Sequence, residues 1–238
     1  MNIFVTGIGN NSGKTIISAG IAAVLQSVGY KVGVYKPVQI GAIDKETYLL
    51  SPDLALVKML DQNITTHSTF MMKSKSIPVI SAQLENKNIN LNSIINDYKI
   101  LLDKTNILIT EATGGLMTPL GDGLFSYHIP LKLRLPVIFV VNPTTDSLNL
   151  LLNEVNTART AGLDIGGIII NKFPATSKNE DIQTFPTLAE KYSNTKVLGI
   201  IRNFCGKSVH TNILINEVLN GIDLEEVFRI KLKKLNSY

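Results

Sequence analysis

The chain has no tryptophan, a single cysteine and only three histidines among its 238 residues. One cysteine cannot close a disulfide within the chain, which excludes a disulfide-framed scaffold. Cys205 is compatible with a reducing compartment and says little more. His67, His128 and His210 show no metal-ligand spacing, so zinc chemistry is not expected. There is no Gly-x-Ser-x-Gly elbow, and nucleophilic serine catalysis has no support. No apolar stretch approaches the ~18 residues of a membrane span. The start, Met1-Asn2-Ile3-Phe4-Val5, lacks the basic opening and longer apolar run of a signal peptide. A cytoplasmic chain with no membrane partner is therefore expected. Excess charge is missing too. Lys and Arg exceed Asp and Glu by 23 − 19 = +4 and are scattered. The one basic cluster, Arg229, Lys231, Lys233 and Lys234, has no interleaved aromatics, and it reads as a solvated helix end rather than a nucleic-acid contact.

What is present is a core. Hydrophobic residues make up 45% of the chain, enough to exclude disorder at this net charge. Short apolar runs alternate with helix-length segments. The strand candidates are 2–6, 32–36, 106–110, 136–141, 166–170 and 196–201. Helices are expected at 14–28, from a cap at Ser51 through Leu60, and at roughly 91–103, 146–161 and 185–193, with further helical segments after 208. Pro52 suits the first helical position there, and Gly29 suits a helix stop. Strands apolar on both faces belong to a parallel sheet covered on both sides. The expectation is one doubly wound α/β domain over residues 1–238, P-loop NTPase-like, with no repeat or linker. The stretch 62–90 is the least regular and is expected at an edge or interface.

The sharpest local signal is Gly7-Ile8-Gly9-Asn10-Asn11-Ser12-Gly13-Lys14-Thr15, between a strand and a helix. Backbone N–H groups of such a loop turn toward phosphate oxygens, and the helix directs its positive end at the same anion. Lys14 reaches the β- and γ-phosphates, and the Thr15 hydroxyl suits Mg²⁺. Five residues separate Gly7 from Gly13, where the general pattern has four.

Other residues gather around this loop by position. Lys36 ends the second strand and faces the crevice where open α/β sheets bind ligands. Asp53 lies in a first helical turn, where it could equally be a cap partner. Glu111 follows the strand NILIT and precedes Ala112-Thr113-Gly114-Gly115, the place for a second metal-associated acid. Asn171 ends the strand GGIII, and its amide suits the edge of adenine.

In their order, the blocks TGIGNNSGKT (6–15), YKPVQIG (35–41), SPDLAL (51–56) and TEATGGLMTPL (110–120) resemble the dethiobiotin synthetase family, with weaker support from PVISAQLE (78–85) and VLGII (197–201). The resemblance implies an ATP-dependent ligase of biotin synthesis that joins 7,8-diaminopelargonate and CO₂ through a carbamate and a carbamic–phosphoric anhydride. It implies Lys36, with Lys14, as the catalytic cations, and Mg²⁺ on Thr15, Asp53 and Glu111. The implied nucleotide contacts are Asn11, Ser12, Gly13, Lys14, Thr15 and Ile16 on the loop, then Asp53, Glu111, Ala112, Thr113 and Gly114 beside it. Asn171, Lys172, Ile201, Arg202 and Asn203 would surround the base. Ile40 and Ser81 would meet the substrate, whose carboxylate would sit at the helix start in 78–85. A homodimer with the substrate site near its interface is also implied.

Three positions depart from the family pattern. Asn11 stands where an acid is usual, Ile40 where Ser or Thr is common, and Ala112 where Gly is usual. Two alternatives therefore stay open. One is a nucleotide-dependent regulatory or partitioning-type ATPase. The other is an amidating ligase resembling cobyrinate enzymes, for whose glutamine-hydrolysing domain the chain has no room.

Overall fold

A computed structural model of the chain describes residues 2–9, 11–174, 176–203 and 211–232. Cys205, His210, Lys233 and Lys234, named above, lie outside the described residues.

Seven strands form one parallel sheet: β1 (Asn2–Gly7), β2 (Val32–Tyr35), β3 (Thr65–His67), β4 (Ile107–Glu111), β5 (Val137–Val141), β6 (Ile165–Phe173) and β7 (Val197–Arg202). Their spatial order is β7-β6-β5-β1-β4-β2-β3. The doubly wound sheet read from the sequence is thus the observed one. Its strands are apolar on both faces because each face carries its own core. Ile3, Val5, Val34, Ile109 and Val140 point to one side, where α1 (Lys14–Ser27), α2 (Pro52–Leu60), α8 (Thr211–Gly221) and α9 (Leu224–Phe228) cover them. Phe4, Tyr35, Leu108, Phe139 and Ile170 point to the other, under α4 (Leu91–Leu102), α6 (Ser147–Thr160) and α7 (Glu180–Ser193). Alternation within each strand thus feeds two layers.

Local chemistry sets the helix ends. Ser51 Oγ accepts the Leu54 N–H, and Pro52 opens α2, as expected. Helix α7 begins earlier than the expected 185. Asn179 accepts the Asp181 N–H, Glu180 and Asp181 favour the positive helix end, and Pro186 is carried inside the helix. Strand β6 runs beyond 170, so Asn171 lies within a strand rather than at its end. Glu111 is likewise the last residue of β4 rather than the residue after it.

The irregular stretch 62–90 contains the edge strand β3, a short Phe70–Met71 pairing with Val38–Gln39, and α3 (Pro78–Leu84). Small hairpins join Ile43–Asp44 to Leu49–Leu50 and Pro119–Gly121 to Leu124–Phe125, and α5 (His128–Leu133) follows the second. The sequence reading had the helix start in 78–85 and none of the other small elements. Among the described residues no helix is long and apolar enough to cross a membrane.

Candidate active site

Strands β1, β4 and β2 are neighbours, and their carboxyl ends bring the expected residues into one crevice. The phosphate loop leaves β1 at Gly7 and enters α1 at Lys14. Gly13 caps α1 in the left-handed region at φ 88°, with no side chain satisfying the first N–H groups. Those donors are left for an anion. A Cβ at Gly13 would also lie 2.1 Å from Asn171 Nδ2, so glycine is required there.

Register decides the next contact. Tyr35 pairs with Thr110 across β2 and β4, so the following residues, Lys36 and Glu111, also sit side by side. Lys36 Nζ lies 2.7 Å from Glu111 Oε1 and 2.6 Å from Asp53 Oδ2. It also donates to the Ala112 carbonyl at 3.4 Å. Thr15 Oγ1 donates to the same Glu111 oxygen at 2.7 Å. Lys36 and Glu111 are buried, whereas Asp53 is partly open to solvent. Burial alone would push the Lys36 ammonium down, but Glu111 and Asp53 outweigh it and hold Lys36 above the ordinary lysine value. Burial and the nearby Lys36 charge push Lys14 down, against the weaker pull of Glu111, Asp53 and Glu154.

Thr15, Asp53 and Glu111 therefore present hard oxygen donors around one point. Mg²⁺ is held in nucleotide sites by one or two carboxylates together with phosphates and water, and this donor set fits it. Among the described residues no group of three or more His, Cys, Asp or Glu forms a cluster that could hold a metal by itself. Phosphate oxygens would have to complete the coordination.

A cavity of about 710 Å³ opens over these groups, lined by Asn11 through Ile16, Lys36, Ile40, Asp53, Thr113, Gly114 and Lys172. Gln39, Gly41, Pro52 and Lys75 complete it. Ala112 is buried beneath, and its N–H donates to the Val5 carbonyl at 2.9 Å. Thr113 Oγ1 donates to the Val38 carbonyl. Asn171 and Lys172 reach the loop from β6. Asn171 Nδ2 donates to the Ser12 carbonyl at 2.8 Å, and Lys172 Nζ to the Asn11 carbonyl at 2.6 Å. The expected donor of Asn171 toward adenine is thus engaged by the loop itself.

Other sequence-read positions are placed differently. The Ser81 hydroxyl is buried and donates to the Ser76 carbonyl at 2.8 Å, so it ties α3 to the preceding loop. Ile201 points into the core, because alternation along β7 turns it under α8. Arg202 is paired with Glu217. The Asn203 N–H donates to the Phe173 carbonyl at 3.0 Å. None of the three lines the phosphate cavity.

A second cavity, about 440 Å³, adjoins the first, sharing Asn11, Lys14, Ile40, Lys75, Thr113 and Gly114. Ile77, Pro78, Gly115, Thr118 and Glu154 extend it. Sequence reading missed Glu154, Lys75 and Gln39. Gln39 had a visible signal, since it sits inside YKPVQIG and its Oε1 accepts from Ser51 Oγ at 2.6 Å. Glu154 lies on a helix whose sequence carries no motif, and Lys75 lies in the irregular stretch.

A family model described as an AAA domain matches residues 1–204. The ATP-dependent dethiobiotin synthetase BioD of Bacillus subtilis strain 168 is 33% identical over 201 residues, covering 83% of this chain and 85% of that protein. The BioD protein of Bacillus thuringiensis strain Al Hakam is 27% identical over 231 residues, covering 95% of this chain and 94% of that protein. Among solved structures, the MinC:MinD cell division protein complex of Aquifex aeolicus matches with a TM-score of 0.61 at 13% identity, covering 100% of this chain and 98% of the matched chain. A ParA family ATPase from Chlorobium tepidum TLS matches with a TM-score of 0.55 at 14% identity, covering 97% and 93%. At such identities the structural likeness shows the fold alone.

Proposed function

This chain belongs to the ATP-dependent dethiobiotin synthetase family of ligases, and from that premise we propose that it carboxylates 7,8-diaminopelargonate with CO₂ and closes the ureido ring of dethiobiotin. In this reading one substrate amine attacks CO₂ to give a carbamate. The carbamate oxygen takes the γ-phosphoryl group of ATP, forming a carbamic–phosphoric anhydride. The second amine then attacks the carbonyl carbon and expels phosphate.

One observation carries the reading: a buried lysine held between two carboxylates at the mouth of a phosphate loop. A carbamate approaching a triphosphate brings anion to anion, so the site must supply cations. Lys14 and Lys36 supply them, and charge building on the transferred group is stabilised by ammonium groups already oriented. Thr15, Asp53 and Glu111 would hold Mg²⁺, which supplies further neutralisation of the phosphates. As nucleotide enters, Lys36 exchanges carboxylate partners for phosphate or carbamate oxygens. Asn171 and Lys172 keep the loop in shape by holding its carbonyls.

We also read the chain as a cytoplasmic homodimer. Exposed Ile77, Ile80, Leu84, Met117 and Leu150 support this, since Ile77 lines the second cavity and a second copy would cover such exposed apolar side chains. Sedimentation at micromolar concentration tests it, and a monomer would overturn it.

The reaction is tested by incubating the protein with diaminopelargonate, bicarbonate, Mg²⁺ and ATP and following product mass. Dethiobiotin and phosphate should form in equal amounts. Nucleotide hydrolysis that ignores the diamine would refute the ligase reading and favour a regulatory ATPase.

A further inference from the structure

Glu154 belongs to no motif, yet it stands at the junction of the two cavities. It reaches from α6 to the Gly114–Gly115 turn, where Oε2 accepts the Leu116 N–H at 2.9 Å. Its other oxygen occupies space that only glycine leaves open: a Cβ at Gly115 would lie 2.5 Å from Oε1. Burial pushes the carboxyl up, against the Leu116 N–H and the Lys14 charge. Among the described residues no ion pair engages it within 4.0 Å. A partly desolvated carboxylate with one backbone donor is under-compensated.

The cavity around it is otherwise cationic or neutral. Lys14 and Lys75 line it, Asn11 contributes a neutral amide, and Glu154 is the one carboxylate among the described lining residues. Any cationic group entering there has a single partner. The proposed substrate carries amines at one end and a carboxylate at the other, and its reacting amine must come close to the γ-phosphate that Lys14 serves. Lys14 and Glu154 already sense each other's charge. Bound triphosphate would neutralise Lys14 and remove the group that repels an ammonium from this corner.

We propose that Glu154 is the substrate-amine anchor of this enzyme, its carboxylate holding the ammonium of the diamino acid at the edge of the phosphate cavity. This rests on the reaction proposed above.

The test is calorimetric titration of diaminopelargonate into the full chain saturated with Mg²⁺ and a non-hydrolysable ATP analogue. Glu154→Gln keeps an acceptor for Leu116 and removes the charge. It should weaken diamine binding tenfold or more while changing the Kd of the analogue less than twofold. Glu154→Asp keeps the charge at shorter reach and should fall between wild type and Glu154→Gln. If the Gln variant does not fold, the Asp variant alone should lose at least threefold in diamine affinity. Unchanged diamine affinity, or equal weakening for nucleotide, would overturn the anchor and leave Glu154 a support for the glycine turn. Wild-type protein that binds the diamine but yields no dethiobiotin would overturn the reaction and leave the anchor standing. Wild-type protein that does not bind the diamine would overturn both.

Discussion

Replacing Lys36 by methionine removes the ammonium that Glu111 and Asp53 share. The two acids do not lose equally. The Glu111 side chain is only 1% exposed, whereas that of Asp53 is 29% exposed. Water can take over at Asp53, where the lost attraction has the surface value of roughly 0–1 kcal/mol. Among the described residues Glu111 keeps only the Thr15 hydroxyl as a hydrogen-bond donor. Stranding a buried carboxylate costs about 3–5 kcal/mol. For a chain of this size that lowers Tm by roughly 6–20 °C, at about 2–4 °C per kcal/mol. The assay is urea unfolding of the free protein at pH 7.5, with Lys36→Met, Glu111→Gln and the double variant. Glu111→Gln in the Lys36→Met background removes the stranded charge and should recover at least half of the loss, a positive coupling in the double-mutant cycle. Lys36 is held above the ordinary lysine value, so its contribution is fully present below that value and lost only as pH rises through the folded-state value. The gap between wild type and Lys36→Met should therefore stay level from pH 7 to 9. A single-variant loss below about 1 kcal/mol, or a double variant no more stable than Lys36→Met, would refute the assignment of a buried, mutually dependent pair. Turnover of Lys36→Met should fall by orders of magnitude in every case.

Three more outcomes are expected. Asn171→Asp sets a carboxylate against the Ser12 carbonyl and should weaken ATP binding by roughly 5–150-fold, the range for losing a buried hydrogen bond and leaving its partner unpaired; titration with a fluorescent nucleotide reads it, and unchanged affinity would remove Asn171 as a loop support. Gly13→Ala strains a φ of 88° and drives its Cβ into the Asn171 amide, so nucleotide binding should be lost while far-UV circular dichroism is retained; normal binding would refute the cap geometry. Glu154 is raised above the ordinary glutamate value, so the folded state gains stability as pH falls toward that value and lacks this gain above its own pKa. Glu154→Gln should therefore be at least as stable as wild type at pH 8 and lose that advantage by pH 5, as seen in paired thermal melts; a constant offset would contradict the burial argument.

The phosphate loop, the parallel sheet and the capped helix at Ser51 were legible because each is written locally: glycines and Lys-Thr after an apolar strand, apolar runs of strand length, Ser-Pro-Asp before a helix. The meeting of Lys36 with Glu111 was legible only as proximity to the loop. Their direct pairing comes from the β2–β4 register, which depends on tertiary packing. The motif of Ser81 marks the start of α3 without saying which way the hydroxyl turns, and that direction is set by the Ser76 carbonyl. Side-chain direction is also unwritten at Ile201, which turns into the core while its neighbours reach solvent. Glu154 left no trace, because a lone acid on a polar helix face reads as solvated until the Gly114–Gly115 turn is seen beneath it. The start of α7 at Glu180, ahead of the expected 185, is set by the Asn179 cap, with Pro186 carried inside the helix.

The carbonyls of the phosphate loop have a fixed side. Asn142 and Lys172 both donate to the Asn11 carbonyl, at 3.1 and 2.6 Å, and Asn171 donates to that of Ser12. Three side chains, Asn171 and Lys172 on β6 and Asn142 just past the end of β5, thus pull the peptide oxygens one way, which turns the planar units between them the other way. The loop is tethered like a drawn bow before any nucleotide arrives. Little ordering entropy then remains to be lost on binding, and the tension is anchored in β5 and β6, strands that carry none of the reacting groups. Sequence change at those anchor points, outside the loop itself, can therefore retune nucleotide affinity without touching the chemistry.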